Sequence, residues 1–97
     1  MKISFLDAAQ SELDDAIDYY DETRSGLGLG FAEEVEQVKR ITHYPEAWAQ
    51  LSSRVRRCII SRFPYSVIYQ SRSEIIVVVA IQHHHQEPES WRTRVIE

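Results

Sequence analysis

The sequence has one cysteine, Cys58, so no disulfide can close within the chain. In its apolar surroundings the thiol reads as a small core residue, and a reducing cytoplasm suits it. Apolar runs are short. None approaches the roughly 20 residues that cross a bilayer, which excludes a transmembrane helix and a membrane partner. The N-terminus, Met1 to Asp7, meets an acid too early for a secretory signal. Repeats and low-complexity segments are missing, and at 97 residues the chain is expected to form one domain, 1–97, with a modest core. Positive charge is also scarce. The net charge of −4 argues against a general nucleic-acid binder.

The charge is unevenly spread. Residues 1–50 have four basic and eleven acidic residues, and residues 51–97 have seven arginines, no lysine and four glutamates. A basic face on the C-terminal half, aimed at an acidic partner or at phosphates, fits the arginine bias, because guanidinium forks match carboxylate and phosphate.

Hydrophobic periodicity orders the elements. Lys2 to Leu6 alternates and reads as a short strand. Asp7 with Gln10 has the spacing of a capping box. A helix is expected from Asp7 to near Arg24, with Ala9, Leu13, Ala16, Ile17 and Tyr20 on its apolar side. "SGLGLG", 25–30, holds every glycine in the chain and reads as a turn between helices. It lacks the Lys-Ser/Thr ending and the preceding strand of a phosphate loop. The second helix places Phe31, Val35, Val38 and Ile41 on one face and stops before Pro45. Then "VRRCIIS", "YSVIYQ" and "EIIVVVAIQ" read as three β-strands with short breaks, hence an antiparallel meander. The third run is apolar at nearly every position and is expected inside the sheet, with Ile76, Val78 and Ile81 in the core. Trp91 packs back on the sheet, leaving Arg92 and Arg94 at the surface. The fold class is α+β: an N-terminal strand, an αα-hairpin, a three-stranded antiparallel meander and a short C-terminal tail.

"IQHHHQEPESW", 81–91, holds the chain's most conspicuous polar cluster. On a strand His83 and His85 share a face and His84 takes the other. Zinc needs more ligands than this pair, and the single cysteine lies in another strand, so no metal and no cofactor is expected. The bland reading has His83 pinning the tail near Trp91, with His84 and His85 left in water and Tyr65 and Tyr69 as half-buried core rings.

The pieces, in order, resemble the ParE/RelE toxin superfamily, its ParE-like branch in particular. Ser11 with Ile17-Asp18-Tyr19-Tyr20 is similar to that family's first helix and its paired tyrosines. Gly26 to Phe31 is similar to its turn into the second helix, with one extra Leu-Gly step. Arg62-Phe63-Pro64-Tyr65-Ser66-Val67-Ile68-Tyr69 is similar to its "R-F-P-Y-x-I-x-Y". Ala80 to Trp91 is similar to its closing "A-x-x-H-x-x-R-x-P-x-x-W", with Gln86 where the family often has Arg.

The resemblance implies the RelE/ParE-like fold and a cytoplasmic toxin of a type II toxin–antitoxin pair, also known as a plasmid stabilisation protein. Such a toxin inhibits growth and is neutralised by a cognate antitoxin. ParE-like members poison DNA gyrase, and RelE-like members cleave mRNA on the ribosome. A former toxin kept as an antitoxin-binding module is a third reading. The target-binding candidates are Arg54, Arg56, Arg57, Arg62 and Arg92. The antitoxin-binding candidates are Tyr19, Tyr20, Leu27, Leu29 and Phe31, at the turn and rim of the hairpin. For a ribonuclease, His83 and His85 suit acid–base work, and Arg57 and Arg62 suit phosphate charge.

Overall fold

A computed structural model describes residues 2–95. The chain runs β1 (Lys2–Phe5), α1 (Asp7–Thr23), α2 (Leu27–Glu36), a 3-10 segment (Gln37–Thr42), β2 (Ala49–Gln50), β3 (Val55–Ile59), β4 (Tyr65–Arg72), β5 (Ile75–His83) and a last 3-10 turn (Arg92–Arg94). The five strands form one sheet in the order β1-β5-β4-β3-β2. The predicted meander is β3-β4-β5, all antiparallel. β1 adds to it in parallel, Lys2 to Phe5 against Ile75 to Val78. β2 was not anticipated: two residues are too few to show a period.

The helices cover one face of the sheet. There Phe31, Val35, Val38 and Ile41 meet Cys58, Val67, Tyr69, Ile76, Val78 and Ile81, all buried. The expected core face of the second helix is therefore real, although its last turn tightens to 3-10 from Gln37. On the other face Trp91 is 1% exposed and packs against Val55, Ile68, Val79 and Ala80. β5 is thus covered on both sides, which is why its sequence shows no alternation. The pairing Ile68↔Ala80 followed by Tyr69↔Val78 leaves Val79 as an extra residue, a β-bulge. The bulge lets Val79 and Ala80 both face Trp91, while Val78 and Ile81 both face the helices.

Bulges and strand ends strand backbone groups, and buried ones must find partners. β1 accompanies β5 only as far as Val78, whose carbonyl accepts the Leu6 N–H at 3.0 Å. Past that point Ile81 N–H donates to Glu12 Oε1 at 3.2 Å, and Val79 O accepts from Arg94 Nη1 at 3.1 Å. Glu12 and Arg94 also bond each other in a two-pronged pair, at 2.7 and 3.1 Å. This pair holds the guanidinium pKa of Arg94 above its usual value, its hydrogen bond to Glu12 being the main cause. The expectation that Arg94 stays at the surface is corrected: it is half-buried because the bulge gives it a carbonyl and α1 gives it a carboxylate. Arg92 is exposed as expected, stacked over the Trp91 ring and paired with Glu89.

Two further local readings are corrected. Asp7 is the first helical residue, Leu6 is the N-cap, and no side-chain cap bond forms, so the capping box is not made. The glycine run is not all turn. Only Gly26, at φ +88°, turns the chain; Gly28 and Gly30 lie within α2. Asp21 Oδ1 accepts both the Gly26 and Gly28 N–H groups at 3.1 Å. Gly28 lets α2 approach α1, since a Cβ there would fall 2.5 Å from Ile17 O.

Glu12→Ala removes the acceptor of a half-buried N–H and the partner of Arg94. It is expected to lower the unfolding free energy by about 1–3 kcal/mol, with Glu12→Gln less affected; urea titration of the variants checks this. Tyr69 is fully buried and donates to Pro45 O at 2.6 Å. Burial, the leading cause, pushes its phenol up to about 12. An unfolded tyrosine titrates near 10. The folded state therefore binds the proton more tightly, and this contribution is present below pH 10 and is lost as pH rises from there through about 12. Thermal melts across that range should lose stability less steeply in Tyr69→Phe than in the wild type.

Candidate partner-binding surfaces

The hairpin places its aromatic residues in two layers. Tyr20 stacks on Phe31 at 5.4 Å and meets Phe63 edge-on at 4.9 Å, and Phe31 meets Tyr65 at 4.9 Å. These rings knit the hairpin to the β3–β4 turn. Burial raises the phenol pKa of Tyr20 and of Tyr65, with neighbouring tyrosines adding to it. Phe31 is fully buried and Tyr20 half-buried, so Phe31 is core and not a rim anchor; it lies on the stripe shared with Val35. Outside this layer Tyr19 and Leu29 stand 62% and 64% exposed. Leu27 is half-buried beside a recess that Arg24, Gly26 and Arg62 complete.

A cleft of about 310 Å³ opens where the helices splay from β1, lined mainly by Ile3, Phe5, Leu13, Val35 and Val38. Sequence reasoning missed it. The signal was the mismatch between a four-residue strand and the helices that must cover it. A second, shallower concavity lies between α1 and the end of β5, with Asp15, Tyr19, Tyr65, His83 and Gln86 around it.

His83 ends β5, and His84 and His85 follow in the turn after it. His85 N–H donates to His83 Nδ1 at 3.0 Å, so a neutral His83 carries its proton on Nε2. Gln86 Oε1 accepts the His83 N–H at 2.7 Å. His84 N–H donates to Pro64 O, and its ring lies 3.0 Å from Ser66 Oγ. His83 and His85 do share a side, with rings 5.0 Å apart. The expectation that His83 pins the tail is corrected. His83 pairs with Tyr65 on the helix side, whereas Trp91 lies on the opposite face. The tail is held instead by Gln82, whose Nε2 donates to Glu87 O at 2.8 Å and Ser90 Oγ at 3.1 Å. His84 is likewise tied to Ser66 and is not simply left in water.

The arginines do not form one patch. Arg57 pairs with Ile68 on the Trp91 face and shares a small nook with Leu51, Gln82 and Trp91. Arg92 lies over the same indole, 4.7 Å from its centre. Arg62 lies in the β3–β4 turn at φ +73°, 3.4 Å from Glu34 of α2. Arg54 is exposed just before β3, and Arg56 spends Nη1 on Glu46 O and Trp48 O. Arg57 thus lies on the face opposite to His83, and Arg62 lies in the turn whose Pro64 O accepts the His84 N–H. Among the described residues no group of three or more His, Cys, Asp or Glu side chains is arranged to hold a metal. No helix among them is long and apolar enough to cross a membrane.

A structure titled "Chromosomal ParDE TA system from P. aeruginosa" is similar in fold, with a TM-score of 0.74 at 23% identity over 86% of this chain and 95% of the other. No curated protein matches the sequence. The family model described as the ParE toxin of the type II toxin–antitoxin system parDE matches residues 3–88. With the hairpin, the meander and the histidine turn all inside that match, the chain belongs to the ParE toxin family.

Proposed function

We propose that this ParE family member is a cytoplasmic toxin that arrests growth by binding DNA gyrase, and that a cognate antitoxin neutralises it on the helical hairpin. The observation that carries the antitoxin reading is the exposure of Tyr19 and Leu29, at 62% and 64%, on a hairpin whose other large apolar residues are buried or half-buried. Large apolar groups left in water on a rigid support are what an amphipathic partner helix covers. The cleft beside Ile3, Phe5 and Leu13 extends the apolar area along the same helices. Leu27 and Arg62 border the hairpin turn and belong with this surface.

Binding fits the target better than cleavage does. A ribonuclease needs its acid, base and phosphate-stabilising cation around one phosphate. Of the residues suited to those roles, Arg57 lies on the sheet face opposite to His83. Arg57 and Arg92 instead flank the Trp91 nook on the sheet face away from the helices, where they can meet a carboxylate-bearing surface. Arg54 and Arg56 lie off this nook.

Tyr19→Glu and Leu29→Glu are expected to weaken binding of the cognate antitoxin by about 2 kcal/mol, roughly thirtyfold, with melting temperature unchanged; calorimetric titration measures it. Unaltered affinity in both would move the antitoxin off the hairpin. The double variant Arg57→Glu, Arg92→Glu is expected to relieve growth arrest while keeping antitoxin affinity. Induced cells should show a DNA-damage response; fragmented mRNA without that response would replace gyrase with the ribosome as the target.

A further inference from the structure

The segment that leads from the end of the helices to the β2–β3 edge of the sheet has a charge that opposes the rest of the chain. Between residues 39 and 57 there are five basic residues, Lys39, Arg40, Arg54, Arg56 and Arg57, and one acid, Glu46. Outside that segment six basic residues face fourteen acids. Helix α1 alone has seven acids and no basic residue. It packs over β1 and β5, at the other edge of the sheet from β2 and β3.

Aromatic rings lie among these cations. Tyr44, at 71%, is the most exposed large apolar side chain among the described residues. The His43 ring lies 6.5 Å from it. Trp48 is half-buried, with the Arg40 guanidinium 5.1 Å from its ring centre. Its indole Nε1–H is, among the described residues, the buried side-chain donor with no acceptor. The segment carrying them is well tied. His43 N–H donates to Arg40 O and Ala47 N–H to Tyr44 O, both at 3.0 Å. Tyr69 holds Pro45 O at 2.6 Å, and Arg56 holds Glu46 O and Trp48 O. Tyr44 is therefore presented to solvent from an anchored turn.

A ligand that answers these features carries repeated negative charge and flat rings. An acidic peptide answers the charge alone. Single strands are gripped by cations tracking the backbone and by aromatic side chains on which bases stack. We propose that the 40–56 end of this protein binds single-stranded nucleic acid, with Arg40 and Arg54 on phosphates and Tyr44 as the stacking platform. The acids of α1 repel a polyanion and confine it to this end. This inference goes beyond the toxin reading and does not depend on which target is poisoned.

The test is fluorescence anisotropy of the full chain with labelled dT20 and rU20 at 50 and 200 mM salt, with labelled polyglutamate as the comparison. Both strands should bind, and should lose at least tenfold in affinity between the two salt levels, as phosphate contacts require. Tyr44→Ala should weaken both strands by roughly fivefold or more and leave the salt response in place. Arg54→Glu should weaken them and flatten the salt response. Both positions are exposed, so melting curves should match the wild type. Arg24→Glu makes the same charge change at the hairpin turn and should have little effect. No binding of either strand at 50 mM salt overturns the proposal. So does equal loss in Arg24→Glu and Arg54→Glu, which would indicate diffuse charge without a site. Polyglutamate binding as tightly as the strands, with Tyr44→Ala indifferent, would overturn it in favour of an acidic protein partner.

Discussion

The carboxylate of Glu12 joins three parts of the chain: α1, the bulged strand β5 and the C-terminal tail. One of its oxygens takes a backbone N–H from β5 and an Nη1 hydrogen bond from Arg94; the other oxygen takes the second prong of the same guanidinium. Without that acceptor the bulge in β5 would leave a half-buried amide unpaired beyond the end of β1. Without the bulge, Val79 and Ala80 would not both turn toward Trp91. The seat of the tail, the bulge of β5 and the contact with α1 therefore meet at one ion pair, half-buried and geometrically matched. A pair of this kind is costly to break singly, since the survivor keeps its burial and loses its partner.

Around that framework the surface divides by chemistry. The hairpin carries acid along α1 and isolated apolar groups at its rim. The sheet face away from the helices carries Arg57 and Arg92 beside a buried indole. The β2–β3 end carries cations with an exposed ring. A small protein with a thin core can keep such different surfaces because they occupy the two faces and one end of the same sheet.

Much of this was legible in the sequence, and what was missed has a common cause. The two helices announced themselves through apolar spacing, and Phe31, Val35, Val38 and Ile41 do form the face that spacing implies. The meander was legible in β-branched runs with short breaks. Those are local signals. The parallel pairing of β1 with β5, the bond between Glu12 and Arg94 across 82 positions, and the bulge are not local. The bulge was hidden most thoroughly, since a strand apolar at nearly every residue shows no change of phase when its phase shifts. The histidine run misled for the same reason: reading His83 toward Trp91 depended on which face each occupied, and the bulge and the turn after β5 set that. Of the site candidates, Tyr19 and Leu29 are exposed and Phe31 is not, a difference that spacing alone leaves open because all three lie within or beside apolar stripes.

The glycine run illustrates how unlike neighbouring positions can be. Gly30 has open space where a side chain would go, Gly26 has space but a left-handed backbone, and Gly28 has an allowed backbone but no space. Within five residues, tolerance to replacement passes from limited by conformation, to limited by contact, to unrestricted. Length is constrained more tightly still. Each residue turns a helix by about 100 degrees, so one added or lost between Gly28 and Phe31 would rotate Phe31 and Val35 away from the aromatic layer while Gly28 stayed fixed against Ile17. Within this helix a substitution at Gly30 is thus accommodated, whereas a one-residue insertion beside it would misplace the aromatic layer.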